Sequence, residues 1–353
     1  MLWLMPHLFA DPRLLDVALP GLRLPGLATL FARGRPARTD APGLEGALAR
    51  ACGLARQQDW PLASQLLAAE GIADDDAYWL RADPAHCLAM RDRIVLAATP
   101  LADLSADEAR ELTQALAAHF GPTLAPLAVH PQRWYLRLAE HPQLITVPPS
   151  LARGRPLHGV LPHGADARRW RARLNEAQML LHAHPLNAAR EAGGRLPVNA
   201  LWLWGGGVAT RPAWPAPTVY AESAAAAQLV RACGAECRML PTGWTPAGLP
   251  GNSVLLFEQL TPAAESGDAL AWREALKRLE VSVFAPLAHG LRSLRRTSVT
   301  LADPISGVGV QLQGTDGWRF WRRPRPLAET LSSGGFGMKD SPAGDSSSLR
   351  APQ

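Results

Sequence analysis

The stretch 253–302, "SVLLFEQLTPAAESGDALAWREALKRLEVSVFAPLAHGLRSLRRTSVTLA", decides the fold class of this chain. Its first eight residues, 253–260, have the apolar run of a buried strand, and residues 298–302 have that of a second one. Residues 269–291 between them have the pattern of a long helix. Strands that alternate with helices predict an α/β fold with a mostly parallel sheet.

The same alternation extends over the rest of the chain. One helix has a clear amino-terminal signal, because Ser105 and Glu108 are spaced as a capping box. Further strands are predicted at 2–5, 93–98, 132–138 and 198–207, and further helices at 27–34, 43–55 and 105–120. The predicted class is therefore α/β, with helices flanking the sheet.

Composition is that of an ordinary globular protein. Of 353 residues, 47% are hydrophobic and 19% are charged, and the net charge is +5. Only Lys277 and Lys339 are lysines, so arginine supplies almost all of the positive charge. With abundant Ala, Gly and Pro, this indicates a GC-rich coding bias rather than a dedicated nucleic-acid surface. Nucleic acid is therefore not an expected partner.

Cysteine usage and apolar segments indicate the compartment. Four cysteines are too few for a disulfide scaffold in a chain of this length, which favours reduced thiols. The start, "MLWLMPHLFADPRLL" (1–15), lacks the basic and apolar regions of a signal peptide. No run of about 18 apolar residues is present, so no membrane span is predicted. A cytoplasmic protein is the expectation.

The stretch 175–187, "NEAQMLLHAHPLN", resembles a metal site at first sight. On a helix, however, His182 and His184 would lie about 200° apart and could not converge on one ion. Pro185 ends that helix and suits the first turn of another, which Gly193 and Gly194 close. A helical corner is the preferred interpretation over a metal site.

Two other stretches each admit two interpretations. In "WLWGGG" (202–207), glycine amides could surround a phosphate, but no GxGxxG or GKS pattern is present, which favours a plain tight turn. In "GWRFWRRPRP" (317–326), aromatic residues alternate with arginines, as in surfaces that stack bases and hold phosphates. A last strand with a solvated basic exit is the preferred interpretation there.

A family resemblance covers much of the chain. The stretch "RWRARLNEAQMLLHAHPLNAAREAGGRLPVNALWLWGGG" (169–207) resembles archaeal-type, cofactor-independent phosphoglycerate mutases of the alkaline-phosphatase superfamily. Their pattern is a helix, His-Pro-x-Asn, Arg, Pro-x-Asn and a strand ending in glycine. Weaker matches lie at 78–84, 104–116 and 147–167, so about 300 residues are co-linear. The chain resembles still more closely the bacterial regulatory proteins of the RpfE type.

This resemblance implies a domain organisation. It predicts an alkaline-phosphatase-like core built from 1–60 and 195–328, with a cap domain of α/β type, 61–194, inserted between the two parts. The remainder, 329–353, is rich in Gly, Ser and Pro and is expected to be disordered.

The resemblance also implies a site that has lost its metals. The family uses two divalent ions and a serine nucleophile, and of seven matched positions only Asp303 keeps its residue type. Outside these seven, the later Asp of the family's first motif is kept as Asp11. Leu44 takes the place of the nucleophile and cannot carry a phosphoryl group. The seven positions are His7, Leu44, Thr261, Glu265, Asp303, Pro304 and Gln313. The expectation is a protein without catalytic residues, metal or cofactor.

Three arginines, Arg81, Arg133 and Arg190, fall where the family places arginines around its phosphorylated substrate, and Asn187 of the helical corner is a fourth candidate ligand-binding residue. Arginine forks suit phosphate and carboxylate, although the three could equally be surface or helix-flank residues in an arginine-rich chain. The preferred hypothesis is a catalytically inactive regulatory protein that binds a small phosphorylated metabolite or a protein partner. The alternatives are an active mutase or phosphatase with a remodelled site, and an accessory protein for single-stranded nucleic acid.

Overall fold

The computed structural model describes residues 1–38, 43–72, 76–90, 94–97, 101–294 and 298–331. Of the tail predicted to be disordered, residues 332–353 lie outside this part of the chain. The first residues of that tail belong to a short helix, Leu327–Leu331, which differs from the prediction because Thr330 and Leu331 are buried.

Thirteen strands lie within the described residues. They are β1 (Leu2–Leu4), β2 (Arg35–Arg38), β3 (Tyr78–Ala85), β4 (Cys87–Ala89), β5 (Ile94–Leu96), β6 (Leu127–His130), β7 (Arg133–Leu138), β8 (Ala200–Gly207), β9 (Thr218–Tyr220), β10 (Glu236–Arg238), β11 (Val254–Leu256), β12 (Val299–Asp303) and β13 (Val308–Leu312).

The α-helices of the same residues also number thirteen. They are α1 (Pro12–Ala18), α2 (Pro25–Arg33), α3 (Gly43–Ala51), α4 (Leu62–Ala69), α5 (Ala106–Phe120), α6 (Pro149–Ala152), α7 (Ala167–His182), α8 (Pro185–Ala192), α9 (Ala224–Ala232), α10 (Thr261–Ser266), α11 (Ala269–Leu279), α12 (Ala285–Gly290) and α13 (Leu327–Leu331).

The larger sheet has seven strands in the order β10-β9-β11-β1-β12-β13-β2. The first five are parallel, and β13 and β2 are antiparallel to their neighbours. The two strands of the stretch 253–302 flank β1, since Leu2 pairs with Val254 on one side and Thr300 on the other. The prediction of a mostly parallel sheet in an α/β fold is therefore confirmed.

Helices cover both faces of this sheet. Successive side chains of β1 point to opposite faces, and Trp3 and Leu4 are both fully buried. Trp3 belongs to the apolar cluster formed with α1, α2 and α11. Leu4 belongs to the cluster formed with α3, α4 and α9. The result is a three-layer arrangement of helices, sheet and helices.

The second sheet has four antiparallel strands in the order β6-β7-β3-β8. Helices α5 and α7 pack against it through a separate apolar cluster that includes Leu112, Trp170 and Leu181. Strand β8 pairs with β3 here, although the predicted boundary at residue 195 assigns it to the core. The division into core and inserted cap stays a prediction.

The helical corner is confirmed. Helix α7 ends at His182, His184 caps α8 by accepting from the amide of Leu186, and Pro185 occupies the first turn of α8. The capping box at Ser105 and Glu108 is also present at the start of α5. Both features arise from local sequence, which explains why they were predictable.

The glycine run at 205–207 was predicted as a tight turn, and this is wrong. The three glycines lie within β8. A Cβ added at Gly206 would lie 2.4 Å from the Tyr78 hydroxyl oxygen, and one at Gly207 would lie 2.6 Å from Cβ of Pro61. The glycines therefore let β8 approach β3 and the start of α4, and they form no phosphate-binding loop.

Two further predictions need correction. The long helix at 269–291 is interrupted by a π-helical turn, Glu280–Phe284, where the buried Glu280 carboxylate accepts from the amides of Gly26 and Leu27 and so caps α2. The stretch 317–326 forms no strand. No helix within the described residues has both the length and the apolar character that crossing a membrane requires.

Candidate functional site

A cavity of about 480 Å³ lies between the carboxyl ends of the parallel strands and the four-stranded sheet. His7 follows β1, Thr261 follows β11 and Ile305 follows β12, and all three line it. The facing wall includes Arg81 and Trp204 of the second sheet. Ligands of open α/β sheets bind outside the carboxyl ends of the strands, so this cavity is the candidate site.

The structure brings together most positions matched to the metal and nucleophile residues of the mutases. His7, Leu44, Thr261 and Glu265 line the cavity. Asp303 and Pro304 immediately precede Ile305, and the carbonyl of Pro304 accepts a hydrogen bond from the amide of Gly43 at the start of α3. The matched positions thus meet at one place although they are far apart in sequence.

Gln313 is the exception. It follows β13, whose last residue, Leu312, pairs with Val299 at the amino end of β12, whereas Asp303 lies at the carboxyl end. Gln313 caps a short turn together with Asp316. The structure therefore places Gln313 at the edge of the sheet opposite the cavity.

Asp303 holds the loop that follows β1. Its carboxylate accepts from the amides of His7 and Phe9 at 3.1 Å each, and from the amide of Ile305 at 2.8 Å. The Ser306 hydroxyl donates to it at 3.1 Å. Burial raises the pKa of Asp303 to about 6, against the effect of these four donors. Its oxygens therefore have a structural role as acceptors.

His7 sits in an unusual environment. Its φ is 63°, in the left-handed region that residues other than glycine seldom adopt. Its carbonyl accepts from the indole of the buried Trp272 at 3.0 Å. Burial, with a smaller contribution from the positive charge of Arg155, lowers the pKa of His7 to about 4. The imidazole is therefore neutral at physiological pH.

The hydroxyl of Ser150, in α6, lies against the amino end of α3 at the cavity wall. The amide of Leu44 donates to Oγ of Ser150 at 2.9 Å. The carboxylate of Glu45 accepts from the amide of Ser150 at 3.1 Å and from its hydroxyl. Ser150, which belongs to none of the sequence motifs described above, thus lies against Leu44, the position matched to the nucleophile.

The wall formed after β11 is acidic. Glu258 and Glu265 line the cavity, and burial raises the pKa of both carboxyl groups. Arg153 also lines the cavity and lies 3.9 Å from a carboxylate oxygen of Glu265. This long ion pair leaves the guanidinium of Arg153 only loosely held.

Arg81 is firmly fixed in the opposite wall. Its Nε and Nη2 lie 2.8 and 2.6 Å from one carboxylate oxygen of Asp83. Its guanidinium lies between the rings of Tyr135 and Trp204, at 4.8 and 5.1 Å from their centroids. Asp83 in turn accepts from the indole of Trp204 at 2.7 Å. Arg81 lines the cavity with a guanidinium that is already neutralised.

Arg133 is more available. Its Nε donates to Glu70 at 2.9 Å, and its side chain remains 28% exposed. Glu70 also accepts from the Tyr135 hydroxyl and from the Gln228 amide, at 3.1 Å each. The carboxylate of Glu70 therefore positions Arg133 on the cavity wall by accepting a hydrogen bond from its Nε.

The structure does not bring Asn187 and Arg190 to the cavity. Arg190 is fully buried, with Nη1 and Nη2 each 2.9 Å from the carboxylates of Glu108 and Asp103. The side-chain amide of Asn187 bridges the carbonyls of Leu181 and Val198. Both join α8 to its neighbours, so only two of the four predicted ligand-binding residues, Arg81 and Arg133, share the cavity; ligand binding itself stays a prediction.

Several cavity residues were missed from the sequence. Asp83 had a usable signal, because it lies two residues after Arg81 on the same strand and thus on the same face. Arg153, Glu45 and Ser150 had none, since their position depends on how α3 and α6 pack. Within the described residues, no three His, Cys, Asp or Glu side chains are grouped so as to hold a metal ion.

Comparison with known proteins identifies distant relatives. The chain is 29% identical over 202 residues to a 2,3-bisphosphoglycerate-independent phosphoglycerate mutase of Methanothrix thermoacetophila, covering 49% of this chain and 50% of the relative. It is also 29% identical over 194 residues to a probable enzyme of this kind from Geobacter sulfurreducens, covering 53% and 47%. The chain spans about half the length of the curated relatives it matches.

Two solved structures have a weaker likeness. A protein of Pyrococcus horikoshii gives a TM-score of 0.47 at 16% identity, over 93% of this chain and 91% of the other. The cofactor-independent phosphoglycerate mutase of Thermoplasma acidophilum gives 0.37 at 15% identity, over 93% of both. No protein-family profile matches the chain. Over about half of its length, this chain is similar to cofactor-independent phosphoglycerate mutases.

Proposed function

We propose that this chain is a catalytically inactive relative of the phosphoglycerate mutases, a regulatory protein of the RpfE type that binds a small phosphorylated metabolite in the cavity. The observation that carries this proposal is Leu44, which lines the cavity at the position matched to the nucleophile. An alkyl side chain cannot accept a phosphoryl group.

The remaining matched positions support the loss of metal chemistry. Thr261 and Pro304 replace a carboxylate and an imidazole, and neither supplies an equivalent ligand. Asp303 keeps its residue type, but four hydrogen-bond donors already occupy its carboxylate. A metal ion at Asp303 would have to compete with the hydrogen bonds that shape the loop after β1.

Arg133 and Arg153 are the residues best suited to hold an anionic ligand. The side chain of Arg81 is only 5% exposed and is paired with Asp83 through Nε and Nη2, whereas Arg133 is bound by Glu70 at Nε and Arg153 lies 3.9 Å from Glu265. A guanidinium that retains N–H groups can hold a phosphate or carboxylate through two parallel bonds. Glu258 and Glu265 could accept from a hydroxyl group of the same ligand.

The test is calorimetry of the purified chain with 3-phosphoglycerate, phosphoenolpyruvate and inorganic phosphate. Binding in the micromolar to millimolar range is expected for at least one organic phosphate. Arg133→Ala should weaken it about tenfold or more, because a charge-assisted fork contributes roughly 1.5–3 kcal/mol. Arg133→Lys should recover part of the loss. Arg168→Ala, an exposed change on α7, is the control.

Absence of binding by all three probes would refute the metabolite proposal and favour a protein partner. Loss of affinity in Arg168→Ala equal to that in Arg133→Ala would show that only overall charge matters.

One observation favours the alternative of an active phosphotransferase with a remodelled site. The Ser150 hydroxyl, bonded to Glu45 and to the amide of Leu44, offers an oxygen where the matched nucleophile is missing. The two functions differ in a mutase assay with 3-phosphoglycerate and added Mn²⁺. No turnover above buffer supports the inactive protein, whereas turnover that Ser150→Ala abolishes would establish the alternative.

A further inference from the structure

The segment 317–326 exposes three large aromatic side chains together. Trp318 is 59% exposed, Phe320 is 71% exposed and Trp321 is 66% exposed. A last strand would have buried alternate side chains, but this segment begins within a short helical turn, Gly314–Trp318, and is not a strand. Clustered aromatic exposure of this kind marks a surface that contacts a partner.

The same surface is rich in positive charge, although one of its arginines, Arg319, is ion-paired with Asp316 at 2.9 Å. The segments 33–38, "RGRPAR", and 317–326, "GWRFWRRPRP", contain seven arginines and no acidic residue, whereas the whole chain has a net charge of +5. The rest of the chain therefore has a net charge of −2. Arginine abundance from coding bias would be spread over the chain and does not explain this concentration.

Hydrogen bonds join the two segments into one surface. Nη1 of Arg319 donates to the carbonyl of Arg33 at 3.2 Å, and Nη1 of Arg322 donates to that of Gly34 at 3.4 Å. The first segment continues as β2, the edge strand of the seven-stranded sheet, whose Arg35 and Arg38 are exposed. We name residues 33–38 and 317–326 the arginine–aromatic surface.

The rings of this surface are arranged for stacking. The guanidinium carbon of Arg292 lies 4.2 Å from the ring centroid of Trp318, which orients that indole. Phe320 and Trp321 meet edge to face, with centroids 5.4 Å apart and planes at 80°. Two adjacent rings with different orientations and a third held by arginine offer faces on which unpaired bases can stack.

We propose that the arginine–aromatic surface binds single-stranded nucleic acid. Its arginine forks suit phosphate oxygens, and its aromatic faces suit bases of any identity, so that binding should depend little on sequence. A membrane surface is less well matched, because membrane-bound segments separate an apolar face from a basic face, usually on a helix. Here aromatic and basic residues alternate along a segment that is non-helical from Arg319 to Pro326 and has only Gly317 and Trp318 in a short 3₁₀ turn.

This proposal is independent of the metabolite site. The segment 317–326 follows β13 beyond Leu312, which pairs with Val299 at the amino end of β12. The cavity lies at the carboxyl end, next to Ile305. Changes in the arginine–aromatic surface can therefore be tested without altering cavity residues.

The experiment measures fluorescence anisotropy of labelled 20-nucleotide poly-dT and poly-U with the full chain, at several salt concentrations. Three or four phosphate contacts predict an affinity that falls about 20- to 50-fold between 50 and 200 mM salt. The double variant Arg322→Glu, Arg323→Glu should lose at least tenfold in affinity and have a shallower salt dependence. The double variant Phe320→Ala, Trp321→Ala should lose about tenfold or more with an unchanged salt dependence.

A matched control reverses the same charge elsewhere, at the exposed residues Arg168 and Arg169 of α7, and should keep the affinity within about threefold. An equal loss in this control would overturn the proposal, because bulk charge would then explain binding. No binding at 50 mM salt would overturn it, as would tighter binding of a duplex of equal length. Preferential binding to vesicles with anionic lipids, lost in the aromatic variant, would replace nucleic acid by a membrane surface.

Discussion

The backbone amide of His7 donates to the carboxylate of Asp303 at 3.1 Å, and so joins the first strand's loop to the end of β12. The two residues are 296 positions apart in sequence. This bond and its three companions assign a structural role to the one matched metal position that kept its residue type. The conservation of a residue type at this position does not require a metal.

Replacing Asp303 should destabilise the fold. In Asp303→Ala, four donors lose their acceptor, and we expect the free energy of unfolding in urea at pH 7 to fall by about 2 kcal/mol or more. Asp303→Asn keeps one acceptor oxygen, so its unfolding free energy should lie between those of the wild type and Asp303→Ala. The exposed Asp16→Ala change is the control and should stay within about 0.5 kcal/mol. A rise in melting temperature with Mn²⁺ that Asp303→Ala abolishes would contradict the structural role.

His7 should make stability depend on pH. Burial lowers its pKa in the folded state to about 4 from an ordinary value of 6.5. The stability that the neutral imidazole contributes is therefore present above pH 6.5 and is lost as the pH falls towards 4. His7→Asn, which tolerates the left-handed backbone, should thus remove about 2 kcal/mol of the loss in unfolding free energy between pH 7.5 and 5.

His7→Ala is the control for this pH dependence. It removes the same titrating group but fits the positive φ poorly, so it should be less stable than His7→Asn at every pH. The prediction fails if the wild type and His7→Asn have parallel stability curves over this range. The titration of Asp303 changes the unfolding free energy in the opposite direction: because its pKa is raised to about 6 in the folded state, the stability that its protonated form contributes is lost as the pH rises through about 6. Both proteins contain Asp303, so comparing His7→Asn with the wild type cancels this effect.

Arg190 should contribute to stability rather than to ligand binding. Arg190→Ala removes the cation that pairs with Asp103 and one of the two that pair with Glu108, and it opens a space in a fully buried site, so we expect a loss of about 3 kcal/mol or more. Arg195 also pairs with Glu108 but is 42% exposed, and Arg195→Ala should cost less than about 1 kcal/mol. Intact unfolding free energy together with lost metabolite binding in Arg190→Ala would instead support the ligand-binding role that the family resemblance implies.

Gly206 should tolerate no side chain. A Cβ there would lie 2.4 Å from the Tyr78 hydroxyl oxygen and 3.1 Å from Cδ1 of Leu80, both in the paired strand β3. Gly206→Ala should lower the unfolding free energy by about 1–3 kcal/mol, as overpacking does. Gly159, with no atom within 4 Å of an added Cβ, provides the matched control. Equal stability of the two variants would show that β3 and β8 can separate without loss.

Much of the architecture was predictable because it depends on local patterns. The apolar runs at 253–260 and 298–302 predicted two parallel strands, and both pair with β1. The capping box at Ser105 and the corner at Pro185 depend on residues within one helical turn. The prediction failed where packing overrides local preference: the glycines of β8 continue the strand, and their missing side chains let β3 and the start of α4 approach it closely.

The site shows the same division. The sequence by itself determined that Leu44 cannot act as a nucleophile, since this depends only on the side chain's chemistry. Only the tertiary structure decided which arginines reach the cavity. Arg133 lines it, whereas Arg190 is neutralised by Asp103 and Glu108, 87 and 82 residues away in sequence. Residue type fixes what a side chain can do chemically, but the partners that position or neutralise its charge come from segments far apart in the chain.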